Sequence, residues 1–149
     1  LRVFYLSAIT IFLLDRISKY LVLKAEYQLV EVLPFFNLVK VWNKGIAFGL
    51  LRNSPNLFDL LLLLLTPLIL SVLFYIARKS AQKDKIFLGM VFGGGLSNWI
   101  DRISFGAVLD FLDLHLGGLH WPAFNIADFG ITIGLILFLS RHVLKDFRK

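Results

Sequence analysis

Apolar runs of membrane-spanning length alternate with polar, broken stretches along this chain, and that alternation predicts its elements. A helix needs about 20 apolar residues to cross a bilayer core. Val3–Leu23 has that length, although Asp15, Arg16 and Lys19 interrupt it. Leu57–Ala77 is the second run; its leucines from Leu60 to Leu65 suit a lipid-facing wall, and Pro67 is tolerable in a membrane helix as a kink. Ile86–Ile103 and Ile126–Val143 are the third and fourth. Lys24–Asn56 is too polar and too broken by Pro34, Gly45, Gly49 and Pro55 to span, and Leu38–Phe48 within it carries β-type residues that predict short strands. Ser104–Asn125 is a second non-spanning segment. The expected architecture is an all-α membrane protein with four transmembrane helices (residues 3–23, 57–77, 86–103 and 126–143) in a single domain, 1–149.

Composition agrees. Hydrophobic residues make up 58% of the 149, with a mean hydropathy of +0.77, above the roughly 45–50% apolar share of soluble domains. The formal net charge is +6, but the basic residues fall in short runs between apolar segments, which fits anionic lipid and not nucleic acid. Cysteine is absent, so disulfides and thiolate chemistry are excluded. The chain begins at Leu1, so an initiator or short leader is expected before it; the first apolar run lacks a small-residue cleavage site and reads as a retained span.

Charge also orients the spans. Arg78–Lys85, the tail from Arg141 to Lys149, and Arg2 carry the basic clusters, which places both termini and the central loop in the cytoplasm and the two long segments outside. Lys24, Lys40, Lys44 and Arg52 in the first outer segment are exceptions. With that orientation, Asp15 and Lys19 lie in the outer half of the first helix. Asn98 lies about 18 Å along the third helix at 1.5 Å per residue, and Asp128 lies near the outer start of the fourth. A charge at the bilayer centre costs roughly 2.5–3.5 kcal/mol on the insertion scale, so convergence at one depth lets these groups satisfy one another.

Several residues carry both an ordinary and a functional reading. Asp15 and Lys19, four apart, share a helix face, either as a self-neutralising ion pair or as a brace for a polar site. Asn43 and Gly45 sit in a turn-like NKG. Gly89, Gly93 and Ser97 form a small-residue stripe for close helix approach, beside a parallel stripe of Gly94, Asn98 and Arg102. Asp128 suits a helix N-cap, and Asp110 a turn or strand cap. Taken together, two carboxylates in a low-dielectric site share one proton. The ionised member activates a water, the protonated one polarises a scissile carbonyl, and the roles reverse as the amine leaves. This scheme calls for no metal and no cofactor. Ser18 and Lys19 point apart on a helix, His115 and His120 lack a matching zinc ligand set, and Gly93–Gly95 lack a phosphate-loop lysine. Two rival classes are a small transporter or proton relay, with polar groups spread through the membrane depth, and a metal-dependent lipid transferase, sensitive to chelators.

Five short motifs occur in order: DRISK (Asp15–Lys19), NKGIAFG (Asn43–Gly49), GGGLSNWIDR (Gly93–Arg102), VLDF (Val108–Phe111) and FNIAD (Phe124–Asp128). On these the chain resembles the lipoprotein signal peptidases, the type II signal peptidases of bacteria. The resemblance implies a four-helix aspartic endopeptidase of the cytoplasmic (inner) membrane, and a monomer is enough for that chemistry. It implies cleavage of prolipoproteins before a cysteine that already carries diacylglycerol, next to membrane lipid. It assigns catalysis to Asp110 and Asp128 and places Asn43, Gly45, Asn98, Asp101, Arg102 and Asn125 around them, with Asp15 and Lys19 in the first-helix motif. Asn98 and Arg102 are then the choice for holding the peptide backbone or lipid ester. It further implies a small extracytoplasmic β-cradle over Asn37–Gly49 and an outer amphipathic flap over Ser104–Trp121, marked by Leu112, Leu114 and Leu116. Phe129 departs from the family, which favours a smaller residue there, so a narrower pocket is expected.

Overall fold

The computed structural model describes residues 1–44 and 55–146, with side chains for 1–44 and 60–143. Four long helices and a four-stranded antiparallel sheet make up the fold. The helices are α1 (Arg2–Lys24), α2 (Pro55–Lys79), α3 (Gln82–Phe105) and α4 (Ile126–Asp146), each extending the expected span by a few residues. The strands are β1 (Leu29–Leu33), β2 (Phe36–Asn43), β3 (Val108–Leu116) and β4 (Leu119–His120), paired in that order.

Helix α3 is the centre of the bundle, touched by α1, α2 and α4. Glycine makes the close approach possible. A Cβ at Gly93 would overlap the Ala8 carbonyl of α1, and one at Gly94 the Ala127 carbonyl of α4. The two small-residue stripes therefore face two different helices. Phe4, Ala77 and Leu88 fill the end of the bundle away from the sheet. The outside is apolar: Leu6, Ile9, Ile17, Leu64, Leu68, Ile136 and Leu139 are all exposed. A soluble monomer rarely shows contiguous apolar patches beyond a few hundred Å². Within α2 and α4, Leu60–Lys79 and Ile126–Val143 are long and apolar enough to cross a membrane. Helices α1 and α3 carry more charge, which they turn inward: Asp15, Lys19 and Asp101 are almost fully buried.

Pro67 has no N–H to give the carbonyl of Leu63 one turn earlier. Trp99 of α3 supplies the missing donor, its Nε1 bonding Leu63 O at 2.8 Å. The carbonyl that the proline leaves open in α2 is thus satisfied from α3.

The second non-spanning segment differs from its expectation. In place of a separate flap, Val108–Leu116 is the third strand of the same sheet, and Leu119–His120 returns against it. The cue was present: Leu112, Leu114 and Leu116 recur every second residue, the period of a strand. Strand β1 lies before the expected strands; β2 begins at Phe36, ahead of the expected stretch, and overlaps it through Asn43, and residues 45–54 lie outside the described part. Pairing between β2 and β3 is irregular. Asn37 stands opposite Asp113 and Leu38 opposite Leu112, but Val41 is opposite Asp110 and Asn43 opposite Val108. Strand β2 holds one extra residue between Leu38 and Val41, a β-bulge.

Candidate active site

The bulge decides which polar side chains meet. Asn37 and Asn43 are six apart and would share a face of a regular strand, whereas Asp110 and Asp113 are three apart and lie on opposite faces. One extra residue in β2 reverses its phase. Asn43 Nδ2 then donates to Asp110 Oδ2 at 2.9 Å, while Asn37 Nδ2 donates to Asp113 Oδ2 at 3.0 Å on the other side. Leu109 and Phe111, flanking Asp110, pack on Val22 of α1 and turn the carboxylate the other way.

Beyond β4 the chain returns to β3: Phe124 N donates to Leu112 O at 3.0 Å, and its carbonyl accepts from Phe111 and Leu112. This single bridge places the start of α4 beside Asp110. The expectation of Asp128 as the helix cap is corrected in detail. Asn125 precedes the helix and caps it, its Oδ1 accepting from Asp128 N at 2.9 Å, while Asp128 Oδ2 accepts from Asn125 N at 3.1 Å. That reciprocal pairing has the logic of a capping box. Asn125 Nδ2 also donates to Asp110 Oδ1 at 2.7 Å. One buried asparagine therefore holds both carboxylates.

Asn98 joins this group to the bundle. Its Nδ2 donates to Asp128 Oδ1 at 2.8 Å, and its Oδ1 accepts from Lys19 Nζ at 3.0 Å and Asn125 Nδ2 at 3.2 Å. Lys19 also lies 2.6 Å from Asp15 Oδ2 and 2.7 Å from Asp101 Oδ2. Asp15 Oδ2 accepts from Ser97 Oγ at 2.7 Å, and its Oδ1 accepts from Ala127 N at 2.9 Å. The Asp15 carboxylate thus complements the positive N-terminal end of α4. Asp101 is paired a second time, with Arg16. Asp15 and Lys19 form the brace of a polar site, not an isolated ion pair.

The structure brings together Asp15, Lys19, Asn43, Asn98, Asp101, Asp110, Asn125 and Asp128. Arg102 sits one turn beyond Asn98, its guanidinium bonding the Asn98 carbonyl at 3.3 Å. Gly45 lies outside the described residues. Arg16, Ser97 and the Asn37–Asp113–His120 cluster, with His120 Nδ1 2.9 Å from Asp113, escaped the sequence reading as polar partners. Arg16 and Ser97 stood inside motifs, but nothing local shows which carboxylate each one meets.

Asp110 is almost completely buried, and that burial pushes its carboxyl up to about 6. The hydrogen bonds from Asn43 and Asn125 and the charge of Lys19 oppose the rise, and the neighbouring Asp128 carboxylate adds to it. Beside Asp128 opens an apolar cavity of about 350 Å³, lined by Leu114, Trp121, Phe124, Phe129 and Thr132.

A nest of hydrogen-bonded carboxylates at one end of a helical bundle with an apolar exterior is the arrangement of a membrane protein with a polar site, and the class of protein follows from what shares it. Two bacterial membrane enzymes solved by the in meso method share the fold. The one at 2.3 Å resolution has a TM-score of 0.80 and 32% identity over 95% of this chain and 87% of its own. The one at 1.9 Å has a TM-score of 0.80 and 33% identity over 95% and 92%. The lipoprotein signal peptidase of Aquifex aeolicus (strain VF5) is 45% identical over 141 residues, 93% of this chain and 84% of that protein. That of Thermodesulfovibrio yellowstonii is 41% identical over 146 residues, 95% and 97%. The family model described as signal peptidase (SPase) II matches residues 7–144, and the chain belongs to that family of peptidases.

Proposed function

We propose that this protein removes signal peptides from diacylglyceryl-modified prolipoproteins, cutting before the lipidated cysteine with Asp110 and Asp128 as the catalytic pair. The observation that carries the reading is Asn125, whose side chain holds Asp110 while its backbone N–H holds Asp128. With Asp110 raised toward neutrality by burial, the pair retains one proton where most surface carboxylates are ionised. The ionised partner takes a proton from water as that water attacks the scissile carbonyl, and the protonated partner donates to the carbonyl oxygen. The tetrahedral intermediate then collapses as the amide nitrogen is protonated and leaves. Asn98 and Asn125 fix the carboxylates and prevent rotation away from the water. Asn98 and Arg102 are the groups for the substrate backbone or lipid ester. Gly45 belongs to the same site by its motif.

The chain acts as one domain and as a monomer, with four spans, both termini cytoplasmic, and the site near the outer leaflet of the inner membrane. The apolar cavity beside Asp128 gives the greasy substrate a route from lipid to the carboxylates.

Asp110→Asn and Asp128→Asn, incubated with a lipidated prolipoprotein, test the assignment. Each is expected to lose cleavage by at least about 10³-fold, more than one general acid–base group supplies at the low end of its range, and the wild type is expected to resist chelators. Near-normal cleavage by either variant overturns it.

A further inference from the structure

Lys40 stands out as a half-buried cation in an outer segment, against the charge bias of the chain, and it sits in the β2 bulge. Its ammonium donates to the carbonyl of Ala25 at 2.5 Å and stands 5.0 Å over the Tyr27 ring. Ala25 is the residue that ends α1, where backbone carbonyls lack helical partners and a cation is favoured. Tyr27 packs on the Val22, Leu109 and Phe111 cluster that orients Asp110. A bulge is the place where a strand pair can change register, and a one-residue slip turns every following side chain to the other face. Three residues beyond Lys40, the face presented by Asn43 decides whether Asp110 has its β2 partner.

We propose that Lys40 is a positioning residue for Asp110: by tying the β2 bulge to the end of α1 and to Tyr27, it keeps Asn43 in the register that reaches the carboxylate. The proposal deepens the reading of Asp110 as catalytic and rests on it for its importance to the reaction. The geometry it describes stands apart from that reading. The groups facing Asp110 are Asn43 from β2, Asn125 ahead of α4, Asp128 on α4 and Lys19 on α1. Removing the Asn43 hydrogen bond favours the protonated carboxyl.

The test is a carboxyl-carbon NMR titration of Asp110 in the full chain in nanodiscs, comparing wild type, Lys40→Met, Asn43→Ala and the double variant. Lys40→Met is expected to move the Asp110 midpoint upward by about one pH unit, as Asn43→Ala does, and Lys40→Arg to restore it. In the Asn43→Ala background, Lys40→Met is expected to add nothing further. A direct charge effect of the ammonium would persist in that background, so equal shifts in both backgrounds overturn the proposal, as does an unmoved midpoint in Lys40→Met. If Lys40→Met does not fold, Lys40→Gln is read by the same criteria. The titration needs no turnover, so a failed catalytic assignment and a failed positioning role give different results.

Discussion

Replacing Asn43 by alanine removes the hydrogen bond that β2 gives Asp110. The amide donates to Asp110 Oδ2 at 2.9 Å, and only the ionised carboxylate gains its full strength. A hydrogen bond to a charged group is worth about 1.5–3 kcal/mol, and 1.36 kcal/mol corresponds to one pK unit. Asn43 is only partly buried, so water replaces some of the lost interaction, and the lower end, about one pH unit, is expected. The direction is upward from about 6, because Asn43 was lowering the carboxyl against the effect of burial. A dyad active with a single proton loses activity when that proton leaves, so the alkaline limb of kcat/KM moves to higher pH in Asn43→Ala. The limb belongs to the coupled pair and not to Asp110 alone. The assay is initial cleavage rate of a lipidated prolipoprotein in nanodiscs at substrate well below KM, from pH 4 to 9. An alkaline limb that stays in place, or moves down, refutes the assignment of the retained proton. Stability follows the same sign. The raised Asp110 carboxyl favours the folded state below its ordinary 3.8, and this contribution is lost as pH rises through about 6.

Two further perturbations test the packing. Trp99→Phe strands the Leu63 carbonyl and is expected to destabilise the protein by about 1–3 kcal/mol; in a Pro67→Ala background the restored N–H reaches Leu63, and most of that loss is expected to disappear in unfolding measurements on a double-mutant cycle. Gly93→Ala is expected to lower Tm sharply because its new Cβ meets the Ala8 backbone, whereas Gly95→Ala meets only the end of the Leu70 side chain at 3.0 Å and is expected to change Tm little; equal losses in thermal unfolding would show that α3 does not pack by its glycine faces.

The helices were legible in the sequence because a bilayer-length apolar run is a local property. So was the set of polar residues: Asp15, Lys19, Asn98, Asp110, Asn125 and Asp128 are conspicuous in a chain so rich in hydrocarbon. Their order along the chain, in five short motifs, also pointed to the family. Partnership was not legible. Asn125 and Asp128 were both visible three residues apart, yet only the hydrogen bonds show that Asn125 caps α4 while Asp128 answers it. The third strand showed its period in Leu112, Leu114 and Leu116 but not its partner, because pairing with β2 depends on residues distant along the chain. The bulge was hidden more deeply. The sequence separations of Asn37 from Asn43 and of Asp110 from Asp113 have different parity, but that mismatch has meaning only once β2 and β3 are known to pair. Local chemistry chose the side chains and the helices they ride on; strand register and helix docking, which depend on residues distant in sequence, decided which donor faces which carboxylate.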